Sequence, residues 1–183
     1  MANKIVNGKQ FTIVWHVDDL KASHKELRVL KQFAAQLNDE FGRETPISKS
    51  YGKIHDYLGM TLDYSKSGEV QITMRDYIKL ILHDLSDDME GATPAGNHLF
   101  KVNKDNPELL IGERKETFVH IVMQLLYLSQ WDRPDIQTAV SFLCRRLNKP
   151  DTDDYKKTAR VVKYLQGTLD LPLVLRSDGS GIV

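Results

Sequence analysis

Asp18 and Asp19 are the residues whose type and placement could do chemistry. They follow Phe11-Thr12-Ile13-Val14-Trp15-His16-Val17, a run rich in β-branched and aromatic residues, and precede Leu20 to Ala22. The local reading is strand, acidic turn, strand. Carboxylate oxygens at a tight turn suit Mg²⁺, whose shell is completed by water and substrate phosphates. Two such ions could activate an attacking hydroxyl and stabilise leaving oxygens. Asp18 is the expected direct ligand and Asp19 the supporting one, because neighbouring strand residues face opposite ways. The bland alternative is an exposed turn, where acidic residues are common.

The elements that would position this turn are legible on either side. Asn7-Gly8 tolerates positive φ at both residues and predicts a two-residue hairpin before it. A helix is expected after it. Ser23 and Glu26 have capping-box spacing, Leu27, Leu30, Ala34, Leu37 and Phe41 recur with helical period, and Gly42 is the expected stop. A second β unit follows, with Tyr57 to Leu62 and Val70 to Thr73 flanking a turn at Ser67-Gly68. From Met74 the pattern turns helical, with Ile78, Ile81, Leu82 and Leu85 on one face. Pro94, Gly96 and Asn97 mark a loop continuing through Asn103 to Pro107. Three more helices are expected: one carrying Phe118, Ile121, Val122, Leu125 and Leu128, one from Pro134, and one capped by Asp151 or Thr152 and ending near Gly167. The composition shifts from mixed to helical near residue 92.

The chain has 183 residues, 41% apolar and 27% charged, with zero net charge at neutral pH. That length suits one core or two small subdomains. No apolar run is long enough to span a bilayer, and polar residues interrupt any amino-terminal signal core. An intracellular protein, not secreted, is expected. The lone Cys144 agrees, since one cysteine cannot form an internal disulfide. Zero net charge argues mildly against nucleic-acid binding, although a local basic face can supply the field. Arg145, Arg146 and Lys149 are the best candidates for phosphate contact, because few acids lie beside them in sequence. Lys156, Lys157, Arg160 and Lys163 extend the basic stretch, diluted by Asp151, Asp153 and Asp154. A solvated helix face is the competing reading.

Other candidates read as structural. No two of the six histidines have helical metal-ligand spacing. Cys144 reads as a packing residue, Asp87, Asp88 and Glu90 as a solvated loop, and Trp15 and Trp131 as core or subdomain-interface anchors.

Val17-Asp18-Asp19-Leu20 resembles the aspartate-pair motif of reverse transcriptases. The resemblance extends along nearly the whole chain and is specific to the copia-type (Pseudoviridae) retrotransposon enzymes. It is carried in order by Phe41-Gly42, Tyr57-Leu58-Gly59-Met60, Asp76-Tyr77-Ile78-Lys79, Thr93-Pro94, Leu125-Leu126-Tyr127-Leu128, Arg133-Pro134-Asp135-Ile136 and Arg160-Val161-x-x-Tyr164-Leu165-x-x-Thr168. The chain departs from many reverse transcriptases at His16, where they have tyrosine.

The resemblance implies an α+β fold: a partial palm (antiparallel sheet plus helix), followed by a mainly helical thumb and connection region. Residues 1–73 would be palm, with Asp18 and Asp19 as catalytic metal ligands and Tyr57, Leu58, Gly59 and Met60 as a primer grip. Residues 74–130 would be thumb-like and 131–183 connection-like, leading towards an RNase H domain. The implied reaction is phosphoryl transfer with Mg²⁺ or Mn²⁺, acting on template-primer and deoxynucleotides. The palm's further aspartate, the fingers and the RNase H acidic set are not expected within these residues. The isolated chain is therefore expected not to polymerise DNA, and to self-associate or depend on a partner. A cytoplasmic location in a virus-like particle, or a nuclear one, would follow. The alternative of a different class is an inactive relic or a repurposed nucleic-acid- or protein-binding module.

Overall fold

The structure is a computed structural model that describes residues 1–85, 93–103 and 107–177. The chain is α+β and divides into two compact units, Met1–Ser65 and Lys66–Val183.

In the first unit, β1 (Ala2–Val6), β2 (Lys9–His16) and β3 (Asp19–Ser23) form an antiparallel sheet in sequence order. Asn7 (φ 52°) and Gly8 (φ 71°) are both left-handed, so the expected hairpin forms with Val6 opposite Lys9. Helix α1 (Leu27–Phe41) follows and packs on one face of the sheet. Its Phe33 meets Phe11 edge-on, with centroids 5.2 Å apart.

The expected capping box at the start of α1 does not form. Ser23 is held in the β-ladder opposite Thr12, and Glu26 becomes the N-cap without a side-chain cap bond. The Glu26 backbone N–H donates instead to His24 Nδ1 at 3.0 Å. That leaves His24 Nε2 to donate to the Val6 carbonyl at 3.2 Å, tying the helix entry to β1. The helix does stop at Gly42, where a Cβ would lie 2.5 Å from the Asn38 carbonyl oxygen. The buried stripe is shifted: Val29 is buried, whereas Leu27 and Phe41 are exposed.

A second hairpin, β4 (Ile54–Tyr57) and β5 (Met60–Asp63), completes this unit. Here the expectation of one strand over Tyr57 to Leu62 is corrected. Leu58 (φ 52°) and Gly59 (φ 73°) form a two-residue turn that splits the run.

The second unit contains β6 (Glu69–Thr73), α2 (Arg75–Asp84), α3 (Gly112–Trp131), a 3₁₀ turn at Pro134–Ile136, α4 (Gln137–Cys144), α5 (Thr152–Gly167) and β7 (Leu173–Arg176). Its core includes the apolar faces read in the sequence for α2 and α3. Ile78 and Ile81 of α2, Phe118, Ile121, Val122, Leu125 and Leu128 of α3, Ile136, Val140 and Leu143, and Val161 and Leu165 of α5 are all buried. Helix α5 has the anticipated cap, with Asp151 and Asp154 forming a reciprocal capping box. The unexpected element is β7, which pairs antiparallel with β6 from Glu69↔Arg176 to Ile72↔Leu173. The tail is thus not wholly helical. Asp87, Asp88 and Glu90 lie outside the described residues, as does residue 92, where the composition shifts.

Candidate functional site

The aspartate pair lies where β2 turns into β3. The loop is Val17-Asp18, with His16 opposite Asp19 as the closing pair. Asp18 occupies the turn itself and Asp19 opens β3. Both are exposed, and neither carboxylate hydrogen-bonds or ion-pairs with another described residue. Each is therefore free to meet a cation.

Val17 takes φ 51°, a conformation that β-branched residues rarely adopt. A two-residue turn with positive φ at its first position favours glycine there. Holding valine costs about 1–2 kcal/mol. Sequence reading missed this strain, although a β-branched residue in a two-residue hairpin loop was its signal. Val17 is also 87% exposed, so burial of its side chain does not offset the cost.

Cross-strand pairing sorts the sheet into two faces. Phe11, Ile13, Trp15, Leu20 and Ala22 share the face that meets α1. Asn3, Gln10, Thr12, Val14, His16, Asp19 and Lys21 share the other, which is mostly polar. On it, Gln10 Nε2 donates to Asn3 Oδ1 at 3.3 Å and to Thr12 Oγ1 at 3.0 Å. Asp19 thus stands on the hydrophilic face. Trp15 is 54% exposed and Trp131 44%, so of the two roles expected for these tryptophans, core or subdomain-interface anchor, the core role is corrected.

Tyr57, Leu58, Gly59 and Met60 form the β4–β5 turn in the same unit. Met60 is buried, and the Tyr57 hydroxyl is buried without a hydrogen-bond partner among the described residues. Strands β3 and β4 are in contact, and Lys21 Nζ lies 4.9 Å from the Tyr64 ring centroid. Among the described residues, no three His, Cys, Asp or Glu side chains group to hold a metal ion.

Arg145, Arg146 and Lys149 belong to the other unit and differ among themselves. Arg146 Nε donates to Asp154 Oδ2 at 2.9 Å and its Nη2 lies 3.6 Å from Asp151. Sequence adjacency hid these acids, which α5 brings back to the end of α4. Burial pushes the Asp154 carboxyl up, opposed by the Arg146 hydrogen bond. Arg145 and Lys149 are exposed. Lys157, read as part of the basic stretch, is buried and paired with Asp153 at 2.8 Å.

Two of the motifs that carry the family resemblance meet in this unit. Arg133 is 1% exposed and grips Asp135 through Nε (3.0 Å) and Nη2 (2.7 Å). It also donates to the Thr168 carbonyl (3.0 Å) and hydroxyl (2.7 Å), and its guanidinium lies 5.4 Å from the Tyr164 ring centroid. Tyr164 donates its hydroxyl proton to Asp135 Oδ2 at 2.7 Å. Burial opposes both charges, but the paired hydrogen bonds prevail: Asp135 is held below its ordinary range and Arg133 above its own. This node is structural; its two motifs lie 29 to 35 residues apart in sequence and only the fold joins them.

Next to it, Asp132 is 2% exposed and accepts from the Met74 backbone N–H at 2.9 Å. Burial raises its carboxyl to about 6, against the lowering effect of that hydrogen bond. His83 and His120 approach opposite oxygens of Asp84, at 3.6 and 3.5 Å. They come from different helices, so sequence spacing could not pair them. Cys144 is half-buried, and burial pushes its thiol up, consistent with packing.

The chain is 26% identical over 167 residues to a protein of transposon Ty5-1 from Saccharomyces cerevisiae, covering 90% of this chain. It is 24% identical over 163 residues to the retrovirus-related Pol polyprotein of transposon TNT 1-94 from Nicotiana tabacum, covering 85% of this chain. The chain is of copia-type retrotransposon origin. This transposon-derived chain is also 27% identical over 158 residues, 86% of its length, to an uncharacterized mitochondrial protein of Arabidopsis thaliana. It spans 52% of the Ty5-1 protein, 62% of the Arabidopsis protein and 12% of the TNT 1-94 polyprotein. No protein-family model matches the retrotransposon chain, and no solved structure does. Among the described residues, no helix is long and apolar enough to cross a membrane.

Proposed function

We propose that this chain is a piece of a retrotransposon RNA-directed DNA polymerase, carrying the aspartate-pair hairpin and the primer-grip-like turn. The observation that carries this reading is the presentation of Asp18 and Asp19. Two carboxylates without a partner among the described residues stand at a strained two-residue turn between paired strands. A rigid hairpin holds such groups at a fixed point, as metal-assisted phosphoryl transfer requires. The similarity to transposon proteins, one of them a Pol polyprotein, supports the assignment.

Asp18 then contacts Mg²⁺ or Mn²⁺ directly and Asp19 supports it, while the turn at Tyr57 to Met60 steadies the primer end. Further carboxylates complete the metal shell from elsewhere in a longer polyprotein, because two acids on one turn are too few for two ions. Template-primer and deoxynucleotides are the partners.

The test is to graft these residues into the matching segment of the TNT 1-94 polyprotein and assay Mg²⁺-dependent primer extension. Templated synthesis that falls at least about a hundredfold in Asp18→Asn, the scale of losing one transition-state contact, is the expected result. Synthesis indifferent to Asp18 and Asp19 would sink the reading and leave a binding module. Extension by the purified 183-residue chain alone would overturn the need for outside carboxylates.

A further inference from the structure

We propose that an open groove in the carboxy-terminal unit binds single-stranded nucleic acid, stacking a base on Phe100 and seating the adjoining phosphate on Arg145. The choice of nucleic acid over other anionic partners rests on the polymerase reading above; the groove itself rests on its own geometry.

The groove has a volume of about 310 Å³ and is lined by Phe100, Gln137, Thr138, Ser141, Phe142 and Arg145. That is the lower end of the range for small-ligand sites, roughly 300–1,000 Å³. Gln137, Thr138, Ser141 and Arg145 follow one another along a single helical face, at the first, second and fifth residues of α4 and at its C-cap. This polar stripe supplies an amide, two hydroxyls and a guanidinium in a row.

Phe100 forms the apolar wall. It is 69% exposed, yet its ring is braced edge-on against buried Phe142, with centroids 5.7 Å apart and planes at 82°. A braced, water-facing ring is a ready stacking surface, since little rotamer freedom remains to be lost on binding.

Arg145 supplies the charge. It is exposed and has no carboxylate partner among the described residues. In the same unit Arg133, Arg146 and Lys157 are each matched to an aspartate. Its unmatched guanidinium fits a phosphate, which it can grip with two parallel N–H donors. Aromatic stacking beside a cation is the sequence-tolerant way of holding single strands. With zero net charge on the chain, long-range attraction is small, so binding leans on stacking. One phosphate contact gives a shallow salt slope, about −0.7 in log affinity per log salt.

The experiment is fluorescence anisotropy of a labelled oligothymidylate with the full chain. Wild type should bind. Phe100→Ala should weaken binding at least about fivefold, Phe100→Trp should keep it, and an abasic oligomer of equal length should bind at least about fivefold more weakly. Arg145→Gln should weaken binding and flatten the salt slope by about 0.7. Phe100 and Arg145 are exposed, so unchanged circular dichroism and urea midpoints should accompany these losses.

Failure of the wild-type chain to bind, indifference to Phe100→Ala, or equal binding of the abasic oligomer would each overturn the proposal. Displacement of the oligomer by a glutamate-rich peptide at equal concentration would point instead to a protein partner and also overturn it. Phe100-dependent binding alongside a failed primer-extension graft would keep the groove and refute the polymerase reading, so the two fail separately.

Discussion

In the amino-terminal unit Asp18 and Asp19 stand in water without a partner among the described residues, whereas in the carboxy-terminal unit Arg133, Asp135 and Asp154 are enclosed in hydrogen bonds. The first arrangement leaves charge available to an incoming cation. The second uses charge to fix where helices begin and end. A charged residue is a functional candidate when nothing in the fold consumes it, and Arg145 meets that condition where its neighbour Arg146 does not.

This contrast can be broken by mutation, and the largest effect belongs to the enclosed charges. Arg133→Met removes four hydrogen bonds and leaves Asp135 the Tyr164 hydroxyl, and should destabilise the second unit by about 3–4 kcal/mol in urea unfolding, about 1 for each lost bond. A loss below about 1 kcal/mol would show that the node is dispensable.

Asp132 should make the same unit pH-sensitive. Its folded carboxyl titrates at about 6 rather than 3.8, so the folded state binds this proton more tightly than the unfolded state. Stability is then greatest below pH 3.8 for this group, falls as pH rises to about 6, and is flat above. The total is on the order of 3 kcal/mol. Asp132→Asn keeps a carbonyl acceptor for the Met74 N–H and should remove that slope. A slope that survives in the variant would assign it to another group.

Arg146→Ala leaves buried Asp154 without its guanidinium and should cost about 2–3 kcal/mol, read from the urea midpoint. In the first unit the expected changes are small or favourable. Val17→Gly should stabilise by about 1 kcal/mol by relieving the positive φ, offset in part by added freedom in the unfolded chain. Asp18→Asn should leave stability within about 0.5 kcal/mol, since the carboxylate is exposed and has no partner among the described residues. A large loss there would mean that Asp18 holds the turn together, and the metal-ligand reading would weaken.

Elements whose determinants are local were legible in the sequence. Asn7-Gly8 needs no tertiary context to favour its turn, because both residues tolerate positive φ. The stripe Phe118, Ile121, Val122, Leu125 and Leu128 identifies the buried face of α3, and Asp151 with Asp154 caps α5. Tyr57-Leu58-Gly59-Met60 misled because an apolar run with one glycine reads as a strand until a pairing partner selects the turn. Ser23 and Glu26 misled because the ladder claimed Ser23 before the helix could.

By itself the sequence determined the order of most elements, the core faces of α2 and α3 and the hairpin that presents Asp18 and Asp19. These follow from short-range dihedral preference and from the periodicity of apolar residues. Only the tertiary structure decided that Leu173–Arg176 pairs with Glu69–Thr73, that Arg133 closes on Tyr164 and Thr168, and that Arg146 is consumed while Arg145 is left free. The first two depend on residues distant along the chain, and the third on how α5 folds back against the end of α4. Such contacts form when burial of a shared core outweighs the entropy of closing the intervening loop, and no local pattern records that balance.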